Sequence, residues 1–242
     1  MNILNAIKIS TKTDKTVYFN PSDLHVYLQG DKDKIYKNIR KQESRPRNKV
    51  LSYEKSLIIR RVTVNVSNTC NMACKYCYAS KGNYGKDNQI ATADEIIKNI
   101  TPVITKYHVE SIMFFGGEPC LNIDAIIECC IFINELYKLK KIKNTMKYGI
   151  VSNLYMSKES LNKIILLKRE FNLNVTVSID GPKYIHDINR VLPDGSGTYD
   201  KIKENFFYLK SMKVNPYIQC TYTIEHYKLG ITPLKLLLFF EK

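Results

Sequence analysis

The sequence predicts an α/β fold of about five parallel strands, preceded by a small β-containing extension. Three observations lead there. From Arg61 onward, short apolar segments alternate regularly with longer amphipathic ones, the pattern of βα units. The short segments are β-branched and apolar nearly throughout, as strands buried on both faces should be. The residues capable of chemistry fall where these strands end, the rim at which parallel α/β folds bind ligands.

In chain order, residues 1–61 read as an N-terminal extension and 62–242 as the core domain. Lys15 to Gln29 suggests two strands around an Asn-Pro-Ser-Asp turn, with His25 structural inside the second. A basic stretch containing Ser44-Arg-Pro-Arg47 then reads as a linker. Core strands are expected at Val62–Ser67, Ser111–Gly116, Met146–Ser152, Asn174–Asp180 and Pro216–Ile224. Helices are expected at Thr92–Tyr107, Asn122–Leu139, Ser157–Phe171, Thr198–Met212 and Thr232–Glu241. Thr92 with Glu95 forms a capping-box pair, and Ser157 with Ser160 a simpler cap. Strict alternation implies right-handed crossovers, in either a doubly wound sheet or a barrel.

Bulk properties narrow the setting. The 242 residues carry a formal charge of +14. Between Lys32 and Arg61, eleven Lys and Arg face three acids, which is more than half of that excess. No nucleic-acid motif accompanies them, so an acidic peptide ranks above nucleic acid as a partner, and a solvated surface above both. No apolar run approaches a membrane span. The start Met1-Asn-Ile-Leu-Asn-Ala-Ile-Lys8 lacks the basic-then-apolar pattern of an export signal. With seven cysteines, this argues for a reducing cytoplasmic setting.

Cys70, Cys74 and Cys77 form a C-x3-C-x2-C triplet directly after the first core strand. Three thiolates can hold three irons of a cubane cluster, leaving the fourth open for chemistry. Structural zinc would want a fourth ligand, and His108 is poorly placed to supply it. A redox pair would leave Cys70 unexplained, and chance recurrence of a short motif stays open. The context weighs against chance. Gly116-Gly-Glu-Pro119 ends the second strand, Ser152-Asn153 the third and Ser178-Ile-Asp-Gly-Pro182 the fourth.

Together these residues resemble the radical S-adenosylmethionine (SAM) superfamily, and within it the anaerobic sulfatase maturases and thioether-forming peptide maturases. The similarity runs from about Val62 to about Ile224. It implies a partial (β/α)6-type barrel, a [4Fe–4S] cluster on Cys70, Cys74 and Cys77, and SAM chelating the remaining iron. One electron then releases methionine and a 5′-deoxyadenosyl radical, for modification of a peptide or protein. An external donor such as a flavodoxin or ferredoxin is implied as the electron source. The resemblance further implies that Tyr76 lies against the adenine and that Gly116 and Gly117 let backbone approach the methionyl amino group. Glu118 would accept from that ammonium. Asn153 and Ser178 would contribute to the SAM pocket, and Arg190 would meet the SAM carboxylate, its planar fork suiting that partner. His186, four residues before Arg190, would orient it. Asp180 meets a ribose hydroxyl or caps the next turn. Cys120, Cys129, Cys130 and Cys220 read as structural.

The chain departs from the family pattern after five strands and one helix, without the sixth strand or a cysteine-rich auxiliary-cluster domain. The expectation is a fragment, an interrupted reading frame or one piece of a split enzyme, completed by a downstream polypeptide. Two alternatives are a non-catalytic remnant and an enzyme acting on a small molecule or RNA.

Overall fold

The computed structural model describes residues 7–10, 16–20, 25–28 and 58–241. The chain divides into two units, Met1–Lys55 and Ser56–Lys242. The basic linker segment lies outside the described residues.

In the first unit, β1 (Ile7–Ser10), β2 (Thr16–Asn20) and β3 (His25–Leu28) form an antiparallel sheet in chain order. Asn20 faces His25 across the second hairpin. The expected pair of strands is present. β1 is additional, its Ile-Lys-Ile-Ser alternation being the signal that sequence reasoning passed over.

The second unit opens with β4 (Ile58–Ile59), paired in parallel with β6 (His108–Val109). Its main sheet comprises β5 (Val62–Ser67), β7 (Ser111–Gly116), β8 (Lys147–Ser152), β9 (Asn174–Ser178) and β10 (Tyr217–Gln219), all parallel. Their spatial order follows the chain without a switch. A doubly wound sheet reverses direction at its switch point, so the unbroken order identifies the incomplete-barrel alternative.

The crossovers carry α1 (Ala93–Lys106), α2 (Ile123–Lys138), α3 (Lys158–Phe171), α4 (Lys183–Asn189) and α5 (Tyr199–Ser211). The Thr92–Glu95 capping box and the Ser157 cap both form. α1 packs on α2, α2 on α3, and α3 on α5. The core lies between these helices and one face of the sheet. Val64, Val66, Ile112, Phe114, Tyr148, Ile150, Val175 and Val177 meet Ile96, Ile100, Ile126, Ile133, Leu161 and Ile164 there. The alternate strand residues Thr63, Asn65, Met113, Val151 and Thr176 are exposed or half-buried. The sheet is thus covered on one face, not on both as the apolar strand sequences suggest.

The fifth strand departs furthest from expectation. Only Tyr217–Gln219 pairs, all three residues are exposed, and Ile224 opens α6 (Ile224–Lys228). His226 reaches back to Thr223, its Nδ1 accepting the Thr223 N–H at 3.0 Å, and this turns the chain into a helix. β9 likewise stops at Ser178, releasing Ile179 and Asp180 to the rim. α7 (Pro233–Phe240) closes the described chain, with Thr232 as its cap. Among the described residues, no helix is long and apolar enough to cross a membrane.

Candidate functional site: a cysteine loop stapled to the sheet rim

The loop after β5 carries Cys70, Cys74 and Cys77, each partly buried. Three sets of bonds hold it. At its base, Gly117 N–H donates to Ser67 O at 2.8 Å and Glu118 N–H to Thr69 O at 2.8 Å. In its middle, Ala73 N–H donates to Val191 O at 2.7 Å and Lys75 N–H to Asn189 O at 2.9 Å, bracketing Arg190. On its flank, Asn153 Nδ2 donates to Asn71 Oδ1 at 2.9 Å, and Asn71 Nδ2 to Tyr155 O at 2.6 Å.

The two glycines of Gly116-Gly117 serve this stapling. A Cβ on Gly117 would lie 2.3 Å from Thr69 O and 2.8 Å from Gly82 Cα. Gly116 has φ +152°, and a Cβ there would lie 2.2 Å from Ser67 O. The space beside Gly117 is filled by backbone of the cysteine loop and that beside Gly116 by the end of β5, so Gly117 admits the loop and Gly116 the neighbouring strand end.

Glu118 turns inward. It is 2% exposed, and its Oε1 accepts Cys120 N–H at 3.0 Å and Ser152 Oγ–H at 2.8 Å. Its Oε2 accepts Asn153 N–H at 2.7 Å. Burial pushes its pKa up, against those donors. The carboxylate joins the end of β7 to the end of β8.

The thiols sit in a setting suited to metal-bound sulfur. Met72 N–H points at Cys70 Sγ at 3.4 Å and Asn153 Nδ2 lies 3.7 Å from it. Such donors stabilise a coordinated thiolate. Without metal, burial pushes the Cys70 pKa up to about 12. Cys74 is raised for the same reason, and the nearby Arg190 charge opposes the rise. Metal binding to such thiols must displace protons. Among the described residues, no three His, Cys, Asp or Glu side chains converge on a single-ion position. A cubane spreads its ligands over separate irons, so three thiols, two of them with N–H donors or a cation nearby, fit that group.

The opposite side of the rim is organised on Asp180, which is fully buried. Its Oδ2 accepts from Tyr76 Oη at 2.7 Å and from Arg190 Nε at 3.1 Å. The guanidinium lies 5.5 Å from the Tyr76 ring centre, a cation–π distance. Burial pushes the Tyr76 pKa up, so the phenol stays a donor. Burial is the largest influence and works against the Arg190 charge, but Asp180, Tyr76 and Cys74 together raise its pKa and the group stays cationic. Ser178 ends β9 opposite Gln219. His186 does not bond the guanidinium. Its Nδ1 accepts Asp180 N–H at 3.3 Å and its Nε2 donates to Thr198 Oγ1 at 3.1 Å, while Thr198 donates to Arg190 O at 2.8 Å. Both ring nitrogens are committed to the neutral form. Burial, reinforced by Arg190, lowers its pKa to about 4.

The structure therefore gathers Tyr76, Asp180 and Arg190 on one side, and Glu118, Ser152, Asn153 and Cys70 on the other. Sequence reasoning missed Asn71, Thr198 and His226. Of these, only the Thr223–His226 spacing of three, a helix-entry signal, could have been read. Cys129 and Cys130 are buried in the core, Cys120 Sγ lies 3.4 Å from Ser152 Oγ, and Cys220 packs against the small cluster of Ile185, Ile231 and Leu236.

The site can be set beside known proteins. A radical SAM cyclopropyl synthase, TigE of Paramaledivibacter caminithermalis, is 30% identical over 190 residues, 73% of this chain and 37% of that protein. A cysteine-type anaerobic sulfatase-maturating enzyme of Clostridium perfringens is 30% identical over 162 residues, 65% of this chain and 42% of that protein. The solved structure of native anSMEcpe with bound AdoMet superposes with a TM-score of 0.62 at 23% identity, covering 76% of this chain and 48% of that one. The chain thus spans less than half the length of these relatives. Residues 64–225, which contain the cysteine loop, the Gly-Gly-Glu-Pro turn and the Asp180 cluster, match the Radical SAM superfamily, and the chain belongs to it.

Proposed function

We propose that this chain is the cluster- and SAM-binding part of a radical SAM enzyme that modifies a peptide or protein. The observation that carries the proposal is the double attachment of the cysteine loop. Its base is bonded to the Gly116–Gly117–Glu118 turn and its middle to the residues on either side of Arg190. One loop thereby brings three thiols, a glycine turn and a buried guanidinium to one rim.

In this reading Cys70, Cys74 and Cys77 hold a [4Fe–4S] cluster, and Arg190 receives the SAM carboxylate. When bound, the cluster supplies the electron that cleaves SAM to methionine and a 5′-deoxyadenosyl radical. Tyr76, in the loop one residue before Cys77, offers its ring to the adenine. Asn153 sets the flank of the loop beside Cys70, and Ser178 forms the floor at the end of β9. Glu118 acts from behind, holding two strand ends in register. The peptide or protein substrate class is supported by the sulfatase-maturating relative. An external electron donor and a cytoplasmic setting belong to the same proposal.

Anaerobic reconstitution followed by assay for 5′-deoxyadenosine tests it. Iron uptake with slow SAM cleavage, made faster and coupled to product by a peptide substrate, is the expected result. Iron uptake without any SAM cleavage under strong reductant would refute it.

A further inference from the structure

Asp180 is a buried charge to which the functional reading above gives no task. Solvent does not reach it, and a buried carboxylate is tolerated only where donors surround it. Here the donors come from separate parts of the chain. Oδ2 accepts from Tyr76 Oη at 2.7 Å and Arg190 Nε at 3.1 Å, and Oδ1 accepts Thr221 N–H at 3.0 Å. The Asp180 peptide is gripped as well. Its N–H donates to His186 Nδ1 at 3.3 Å, and its C=O accepts from His226 Nε2 at 2.7 Å. One residue thus ties together the cysteine loop, α4, and the segment that leads from β10 into α6.

Two details give this arrangement a direction. Tyr76 directly precedes Cys77, so the bond to Tyr76 fixes the loop at its last thiol. Among the described residues, the Arg190 side chain bonds only through Nε. The Nη1–Nη2 end of its fork therefore keeps the two parallel donors that a second carboxylate can take up bidentately.

We propose that Asp180 is a positioning residue: by holding Tyr76 and Arg190 on one carboxylate oxygen, it fixes the spacing between the cysteine loop and the guanidinium offered to the carboxylate of SAM. This rests on the reading of Arg190 given above. Asp180 touches neither reactant and acts through its two partners.

The test uses the full chain with Asp180→Asn, Asp180→Glu and Tyr76→Phe, read in two ways. SAM affinity and iron content are measured by calorimetry and iron analysis on anaerobically reconstituted protein. The Arg190 Nε–H signal is followed by NMR on metal-free protein, with Arg190→Lys assigning it. Asp180→Asn keeps the shape and removes the charge. It should raise the SAM Kd by roughly tenfold to a hundredfold, the range of a charged hydrogen bond, while iron content holds. The Arg190 signal should shift and exchange faster with water. Tyr76→Phe removes one donor and should raise Kd by about two- to tenfold. Asp180→Glu restores the charge and should recover part of the affinity lost in Asp180→Asn.

A purely structural Asp180 would lower thermal stability and iron content together and leave Kd unchanged for the loaded fraction, which overturns the proposal. Should Asp180→Asn fail to fold, Tyr76→Phe decides. Unchanged Kd and an unchanged Arg190 signal in that variant reject the coupling. A wild-type chain that takes up iron but not SAM, with the Arg190 signal still responding to Tyr76→Phe, overturns the SAM reading and leaves the Tyr76–Asp180–Arg190 coupling standing.

Discussion

Glu118 and Asn153 are joined across two strand ends: Glu118 Oε2 accepts the Asn153 N–H at 2.7 Å. The Asn153 side chain in turn reaches the cysteine loop at Asn71. The carboxylate most readily assigned to ligand contact thus fixes the rim on which the loop rests.

Glu118→Gln should therefore weaken the fold before it weakens ligand binding. An amide offers one acceptor oxygen where three donors converge, and its NH2 group meets a donor. A loss of about 2 kcal/mol in urea unfolding of the metal-free chain is expected, the cost of a buried unsatisfied group. A SAM-binding defect with unchanged stability would return Glu118 to the ligand side.

Gly117→Ala should disrupt the seat of the loop. The added methyl would sit 2.3 Å from Thr69 O and 2.8 Å from Gly82 Cα, both backbone. Neither can step aside as a flexible side chain could, so destabilisation on the order of 3 kcal/mol is expected, with loss of iron uptake. Thermal unfolding and iron analysis of the variant check this.

Replacing Cys70, Cys74 or Cys77 by Ala should abolish bound iron and its visible charge-transfer absorption after anaerobic reconstitution. Cys220→Ala should keep both. Cys129→Ala and Cys130→Ala should lose some stability from the buried core but retain the absorption. Full iron in a triplet variant, with loss in Cys220→Ala, would reverse the ligand assignment.

His186 gives stability a pH dependence. Its pKa is lowered from 6.5 to about 4 in the folded chain, so between those values the unfolded chain takes up a proton that the folded chain refuses. Its contribution is complete above the ordinary histidine range and declines as pH falls toward 4, by up to about 3 kcal/mol. Urea unfolding between pH 4.5 and 7 should show that decline. His186→Gln should flatten it. An equal slope in the variant would place the titration elsewhere.

Legible in the sequence were the α/β alternation, the place of all five core strands though not the short span of the fifth, the helix caps at Thr92 and Ser157, and the rim position of the cysteine triplet. These are legible because they depend on neighbours a few residues away: apolar periodicity, a capping side chain, a Gly-Gly turn. What depends on residues far apart in the chain emerged with the fold. Asp180 meets Tyr76 across 104 positions and Glu118 meets Asn153 across 35. Neither pairing leaves a local signal, so the clamp that Glu118 forms between two strand ends, and the buried network around the residue that reads as a ribose contact or a turn cap, come from the fold alone. The short fifth strand has the same origin. Its apolar sequence satisfies strand propensity, but the Thr223–His226 cap and the bond from His226 to Asp180 draw the chain out of the sheet and into a helix.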